Sequence, residues 1–361
     1  MPSRARHDGK KCLPLMSKCH KVYLNLFMKL PSFIFGVWQF ISGYIINMKI
    51  NAETALKNAF CSKKMNRYPN DEDEKRSREG LIFPSLSPTF YLKVGSKIFT
   101  VGSCFARNIE AFLDSDFELP TRKFVSPIEE WNGASNGLLN EYNPAAISQR
   151  LLWAANQVDT SLLTKTISED GEKYNDLLLA VGSPVTKFRL VERRKEIDKI
   201  YMSLSSSQVM ILTLGLNECW YDLEAQVYLN RPPHPKVIRS DPSRYRFEIL
   251  DADESYFMLE KAIMATLDSG VRNIILTVSP VPLQTTFSGK DCVVANSYSK
   301  AVMRVVAQQL TDRFEEIDYF PSYEIVMSGG LSSFGRDHVH VYESVVRNAV
   351  EYLKSSYVTE E

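Results

Sequence analysis

The chain predicts a three-layer α/β/α sandwich around a mostly parallel sheet. Two observations carry this. Apolar, β-branched runs of five or six residues recur along the sequence, and stretches of helical periodicity separate them. Strands written as continuous apolar runs are strands covered on both faces, the mark of a parallel sheet between helical layers. No internal repeat interrupts the pattern, so a solenoid is excluded.

The elements follow in order. Lys97–Val101 (KIFTV) predicts the first strand, and the helical pattern CFARNIEAFL follows Gly102-Ser103. A helix is expected over Phe188–Leu204, where Leu190, Ile197, Ile200, Tyr201 and Leu204 share a face. Val209–Leu214 (VMILTL) predicts the second strand. The less regular segment 222–250 reads as a loop or hairpin insertion over the sheet edge. Tyr256–Asp268 is helical with Gly270 as its stop, and Asn273–Val278 (NIILTV) is the third strand. Asn296–Leu310 is helical, Ile317–Phe320 a fourth strand and Tyr342–Tyr357 a closing helix. The α/β domain is expected over 90–357.

Composition bounds the rest. The 361 residues carry 43 Lys+Arg against 43 Asp+Glu and are 44% apolar, which excludes a disordered chain. Neutrality argues against nucleic acid as a partner. The zero is a sum of unlike parts. Residues 1–47 hold seven basic side chains and one acid, and the remainder holds 36 basic against 42 acidic. Within that leader Leu30–Ile46 is free of charge, but as a helix it would span only about 26 Å. It reads as a weak membrane anchor, as a surface-binding segment, or as untranslated sequence ahead of a start at Met48. A membrane is a partner only if 1–47 is translated. Asn51 would cap a helix after Met48, and residues 63–79 mix both charges as an exposed linker, so 48–89 is expected as helix and linker. Six cysteines form no CxxC pair, which favours reduced thiols in a cytoplasmic protein.

Three polar features fall just after predicted strands, where open α/β sheets gather their chemistry. Ser103 sits at a strand-to-helix turn, where backbone N–H groups favour negative charge; as a bland alternative it is simply a helix cap. Gly215-Leu216-Asn217 follows the second strand, and the Asn217 amide could donate to an oxyanion. Asp337-His338-Val339-His340 precedes the last helix, and a carboxylate three residues before a histidine can orient it as a general base. The His338–His340 spacing lacks a third and fourth ligand nearby, so no metal is expected, nor any other cofactor.

Gly-Ser, then Gly-x-Asn, then Asp-x-x-His, each after a strand, resembles the SGNH hydrolase superfamily. VGSCFARNI resembles the signature of the GSCFA domain family, a bacterial branch of it. YNPAAI (142–147), VERRKEIDKIY (191–201), LTLGLNECWYD (212–222), TVSPVPLQTTF (277–287), ANSYSKAVMR (295–304) and YFPSYEIV (319–326) are similar to the same family.

The resemblance implies Ser103 as nucleophile, His340 as acid/base and Asp337 as its orienting partner. Gly102 and the N–H groups around Ser103 would share the oxyanion with Asn217. The superfamily's further glycine donor has no clean counterpart; Gly133, Gly137 and Asn143 lie in the right interval, and Asn143 is the preferred one. Cys104 is a rival nucleophile. Glu218, Trp220, Arg231 and His234 are candidates for substrate contact, against the readings of Trp220 as core and of the RPPHP segment as a rigid turn. The expected substrate is an O-acylated saccharide or a similar small ester. The alternatives are acetyl transfer to a sugar in surface-polysaccharide assembly, and a non-catalytic saccharide-binding module.

Overall fold

The structure is a computed structural model describing residues 50–61 and 66–359. It separates into two units, Met1–Ser62 and Lys63–Glu361. The described part of the first unit is α1 (Ala52–Cys61), capped as expected by Asn51, whose Oδ1 accepts the Thr54 N–H at 2.8 Å. The leader and its apolar run 30–46 lie outside the described residues, as does Met48. Among the described residues no helix is long and apolar enough to cross a membrane.

The second unit is built on four parallel strands: β1 (Ile98–Gly102), β2 (Val209–Leu214), β6 (Asn273–Val278) and β7 (Ile317–Tyr319). They lie side by side in the order β7-β6-β2-β1. Successive residues point to opposite faces, so each strand feeds two cores. Val209 and Ile211 pack on one side with Phe105, Ile109 and Leu113 of α2 (Cys104–Leu113) and Val346, Val350 and Leu353 of α7 (Glu343–Tyr357). Met210, Leu212 and Leu214 pack on the other side with residues of α3 (Pro144–Ala155), α4 (Lys187–Met202), α5 (Ala252–Asp268) and α6 (Cys292–Arg313). This two-sided burial explains why β2 and β6 are unbroken apolar runs. Each buried aliphatic side chain contributes about 1.5–3 kcal/mol against exposure.

Beyond β1 the sheet continues as a single bridge. Lys97 pairs in parallel with Glu118, and Ile98 N–H donates to the Glu118 carbonyl at 2.9 Å. Strand order therefore reverses at β1, between this stub and β2. That is where an open α/β sheet leaves a crevice at its carboxyl edge.

The insertion is an antiparallel sheet in the order β5-β3-β4, from β3 (Glu218–Asp222), β4 (Val227–Leu229) and β5 (Tyr245–Ile249). It grows straight out of the turn that ends β2. The expected start of the body at residue 90 needs correction. Leu81 and Phe83 are buried in the same core as α7, and Tyr352 OH donates to the Pro84 carbonyl at 2.6 Å, so the stretch around residues 81–84 packs with the body. The charged segment 63–79 is largely exposed where it is described, over 66–79.

Candidate active site

The β1–α2 turn depends on Gly102. Its φ is +137°, a region closed to side chains, and a Cβ there would stand 2.3 Å from the Thr213 carbonyl oxygen of β2. Gly215, at the end of β2, is equally tight, because a Cβ would meet the Tyr142 carbonyl at 2.4 Å. Segment 140–143 is stitched across both strand ends: Glu141 N–H donates to the Gly102 carbonyl and Leu216 N–H to the Tyr142 carbonyl, each at 2.9 Å.

Ser103 is the N-cap of α2. Its Oγ accepts the Phe105 N–H at 3.3 Å, and the residue is 2% exposed. That is its one side-chain hydrogen bond among the described residues. The next helical turn anchors the nucleophile candidate from below. Arg107 and Glu110 form a buried ion pair at 2.8 Å, and the Glu110 carboxylate also accepts from Thr121 Oγ1 and Asn136 Nδ2, both at 2.6 Å. The signature VGSCFARNI thus carries a turn and its own buried foundation. Cys104 is half-buried, and burial pushes its thiol up, against the influence of Lys300 and backbone N–H groups. This disfavours the thiolate that a cysteine nucleophile needs.

Asp337 and His340 are joined. His340 Nδ1 lies 2.5 Å from Asp337 Oδ2, while Asp337 Oδ1 accepts the N–H groups of Val339 and His340. The His340 hydrogen bond, aided by those N–H groups, holds the Asp337 carboxyl well below the usual carboxylate range. The pair is exposed on the loop before α7, with Nε2 left for another partner. His338 takes a positive φ of +57° in the tight turn between them. Among the described residues no group of three or more His, Cys, Asp or Glu gathers where a metal ion could sit.

The expected oxyanion donors divide. Asn217 is 1% exposed, and its Nδ2 donates to the Leu250 carbonyl at 2.7 Å while its backbone N–H goes to Ser299 Oγ. The amide proposed for an oxyanion instead ties the β2–β3 turn to the end of β5. Gly133 and Gly137 are also reassigned: a Cβ on either would stand 2.5 Å from the Trp131 ring, so they make room for that indole. Asn143 caps α3 by accepting the Ala146 N–H on Oδ1 at 2.8 Å, and its Nδ2 has no hydrogen-bond partner among the described residues.

Asn143 also lines a cleft of about 140 Å³ with Leu216, Glu218, Trp220, Arg231 and Phe287. Trp220 packs its ring against Phe287 and Phe247, at centroid distances of 5.3 and 5.4 Å. It is therefore part of the cleft wall and of a small aromatic cluster at once. Glu218 accepts from Thr286 Oγ1 and the Phe287 N–H, pinning the opposite wall. The Arg231 guanidinium donates to the carbonyls of Leu179 and Gly182 and to Asn175 Oδ1, and burial lowers its pKa. His234 does not belong to this wall. It is exposed and caps the short helix Pro235–Ser240, its Nδ1 accepting the Lys236 N–H.

One group of residues escaped sequence reasoning. On α6, Asn296 Oδ1 accepts the Leu283 N–H, Ser299 Oγ accepts the Asn217 N–H, and Lys300 Nζ donates to the Gly215 carbonyl at 2.7 Å. These positions are spaced i, i+3, i+4, so they share one helix face. A polar stripe at helical spacing inside ANSYSKAVMR was the available signal.

No curated protein matches the chain. Solved structures of two catalytic variants of Axe2, an acetylxylan esterase from Geobacillus stearothermophilus, align with 75% of this chain and all of theirs, at 14% identity and TM-scores of 0.31 and 0.32. The profile of the GSCFA family matches residues 97–352, from the start of β1 into α7 and through every motif above. The chain belongs to the GSCFA family.

Proposed function

We propose that this protein cleaves or transfers acyl esters through a serine acyl-enzyme, with Ser103 as nucleophile, His340 as general acid/base and Asp337 as its orienting carboxylate. The observation that carries the reading is the Ser103 turn, set by a glycine with φ +137° at the carboxyl end of β1 and at the first turn of a ten-residue helix. Backbone N–H groups there converge on a site for developing negative charge.

In the reaction Ser103 Oγ leaves its cap bond, which costs on the order of 1 kcal/mol, and attacks the ester carbonyl carbon. Its proton passes to His340 Nε2, and Asp337 stabilises the imidazolium through Nδ1–H. The carbonyl oxygen becomes an oxyanion, received by the N–H groups of α2's first turn and the Asn143 amide. Collapse breaks the bond to the alcohol, which takes the proton from His340. Water, or a sugar hydroxyl, then repeats the sequence and releases the acyl group.

The cleft beside Asn143 supports a short acyl group. Its lining, with Leu216, Trp220, Leu229, Phe247 and Phe287, is largely apolar, which suits the methyl of an acetyl group. A saccharide would carry the ester from outside, and hydrolysis demands less of this half-open site than transfer does. A fluorophosphonate probe tests the reading. Labelling of the wild type but not of Ser103→Ala is expected, together with hydrolysis of p-nitrophenyl acetate. A folded wild-type protein that takes up no probe would leave the saccharide-binding module as the better account.

A further inference from the structure

Lys300 is the buried charge that the reaction above does not use. It lies on α6, is 2% exposed, and its Nζ makes one hydrogen bond, to the Gly215 carbonyl at 2.7 Å. Among the described residues no carboxylate pairs with it. A buried ammonium with one acceptor and no counter-ion is costly, and such groups persist where a charge has a task.

Its place narrows the task. Gly215 follows β2, two residues past Thr213, which pairs with Gly102 of the turn. Lys300 and the Cys104 thiol, next in sequence to Ser103, feel each other's charge. Around that thiol stand Arg107 of α2 and Tyr142 of the crossing segment, the other titratable groups in the neighbourhood. The adjacent Ser299 grips the Asn217 N–H, so α6 holds the strand-end turn by two consecutive side chains.

We propose that Lys300 is a positioning residue of the Ser103-Cys104 turn, whose buried ammonium on the Gly215 carbonyl supplies positive charge as negative charge develops at Ser103. The inference rests on Ser103 being the nucleophile. Burial brings the Lys300 pKa down to about 7, so the charge is present below that pH and lost above it.

Two measurements test this on the full chain. The first is the pH profile of fluorophosphonate labelling. The wild-type rate falls above pH 7, as Lys300 loses its charge. Lys300→Met lowers the maximal rate about tenfold or more and abolishes the falling limb. Lys300→Arg keeps the rate and moves that limb above pH 9, and it serves alongside the wild-type profile should the methionine variant fold poorly. A wild-type rate that stays level to pH 9, or a Lys300→Met rate equal to it, overturns the proposal. The second measurement is independent of ester chemistry: the rate at which iodoacetamide alkylates Cys104, read by peptide mapping with Cys292 as internal control. Below pH 7 Lys300→Met slows Cys104 alkylation about tenfold and leaves Cys292 unchanged. An unchanged Cys104 rate overturns the proposal. If the wild type takes no probe at all, the nucleophile reading fails alone, and the alkylation rates still judge the charge at Lys300.

Discussion

Replacing Gly102 by alanine should damage stability and reactivity together, and the structure sets the scale. A residue forced to φ +137° costs on the order of 1–3 kcal/mol. The new Cβ would stand 2.3 Å from the Thr213 carbonyl oxygen and 2.8 Å from its Cβ, distances that backbone cannot absorb while β1 and β2 stay paired. Opening the end of that ladder also loosens the bond from Glu141 N–H to the Gly102 carbonyl, worth roughly 1 kcal/mol more. The total is about 2–4 kcal/mol, a large share of the roughly 5–15 kcal/mol that holds a domain folded. Urea unfolding should show the midpoint falling by about 1–2 M. The surviving folded protein should react with fluorophosphonate about a hundredfold more slowly, because the Ser103 turn has moved by an ångström or so. A midpoint within about 0.3 M of wild type, with an unchanged labelling rate, would refute the claim that this glycine sets the turn.

Other consequences can be checked directly. Asn143→Asp keeps the Oδ1 that caps α3 and removes the free N–H, so the melting temperature should hold while the ester hydrolysis rate falls about 10²-fold or more. Arg194→Lys should cost about 2–4 kcal/mol in urea unfolding. It loses a buried fork that reaches both Asp176 carboxylate oxygens, at 2.8 and 2.6 Å, and the Thr160 and Leu163 carbonyls. Lys300 predicts a pH dependence of stability. Its folded pKa near 7 lies below the ordinary lysine value, so between the two the unfolded chain binds more protons. Wild-type stability should therefore gain as pH rises from 7 towards 10, by at most about 1.4 kcal/mol per unit, and Lys300→Met should lack that gain and be the more stable protein at pH 7. Calorimetric or urea titrations at several pH values read both effects.

The layered architecture was legible because β2 and β6 are six-residue runs without a polar face, and only a covered parallel strand needs that. The Ser103 turn and the Asp337–His340 pair were legible because each is local: a cap, and a carboxylate three residues from a ring. The motif VERRKEIDKIY was visible as a motif but opaque in purpose. Its Arg193, Arg194 and Asp198 are buried anchors for Glu130, Asp176 and Thr160, partners between 18 and 63 residues away. The same distance hid Asn217, whose amide meets Leu250 across the insertion.

By itself, then, the sequence determined the order of the four sheet strands, the position of the Ser103 turn and the pairing of Asp337 with His340, because periodicity and short turns are properties of neighbouring residues. Tertiary structure decided the rest. It spent Asn217 on a carbonyl and left Asn143 with a free N–H. It gave Gly133 and Gly137 to the Trp131 ring and set Lys300 beneath the site. Which donor stays free and which charge stays unpaired depends on chain segments meeting in space, and composition and spacing do not encode that meeting one residue at a time.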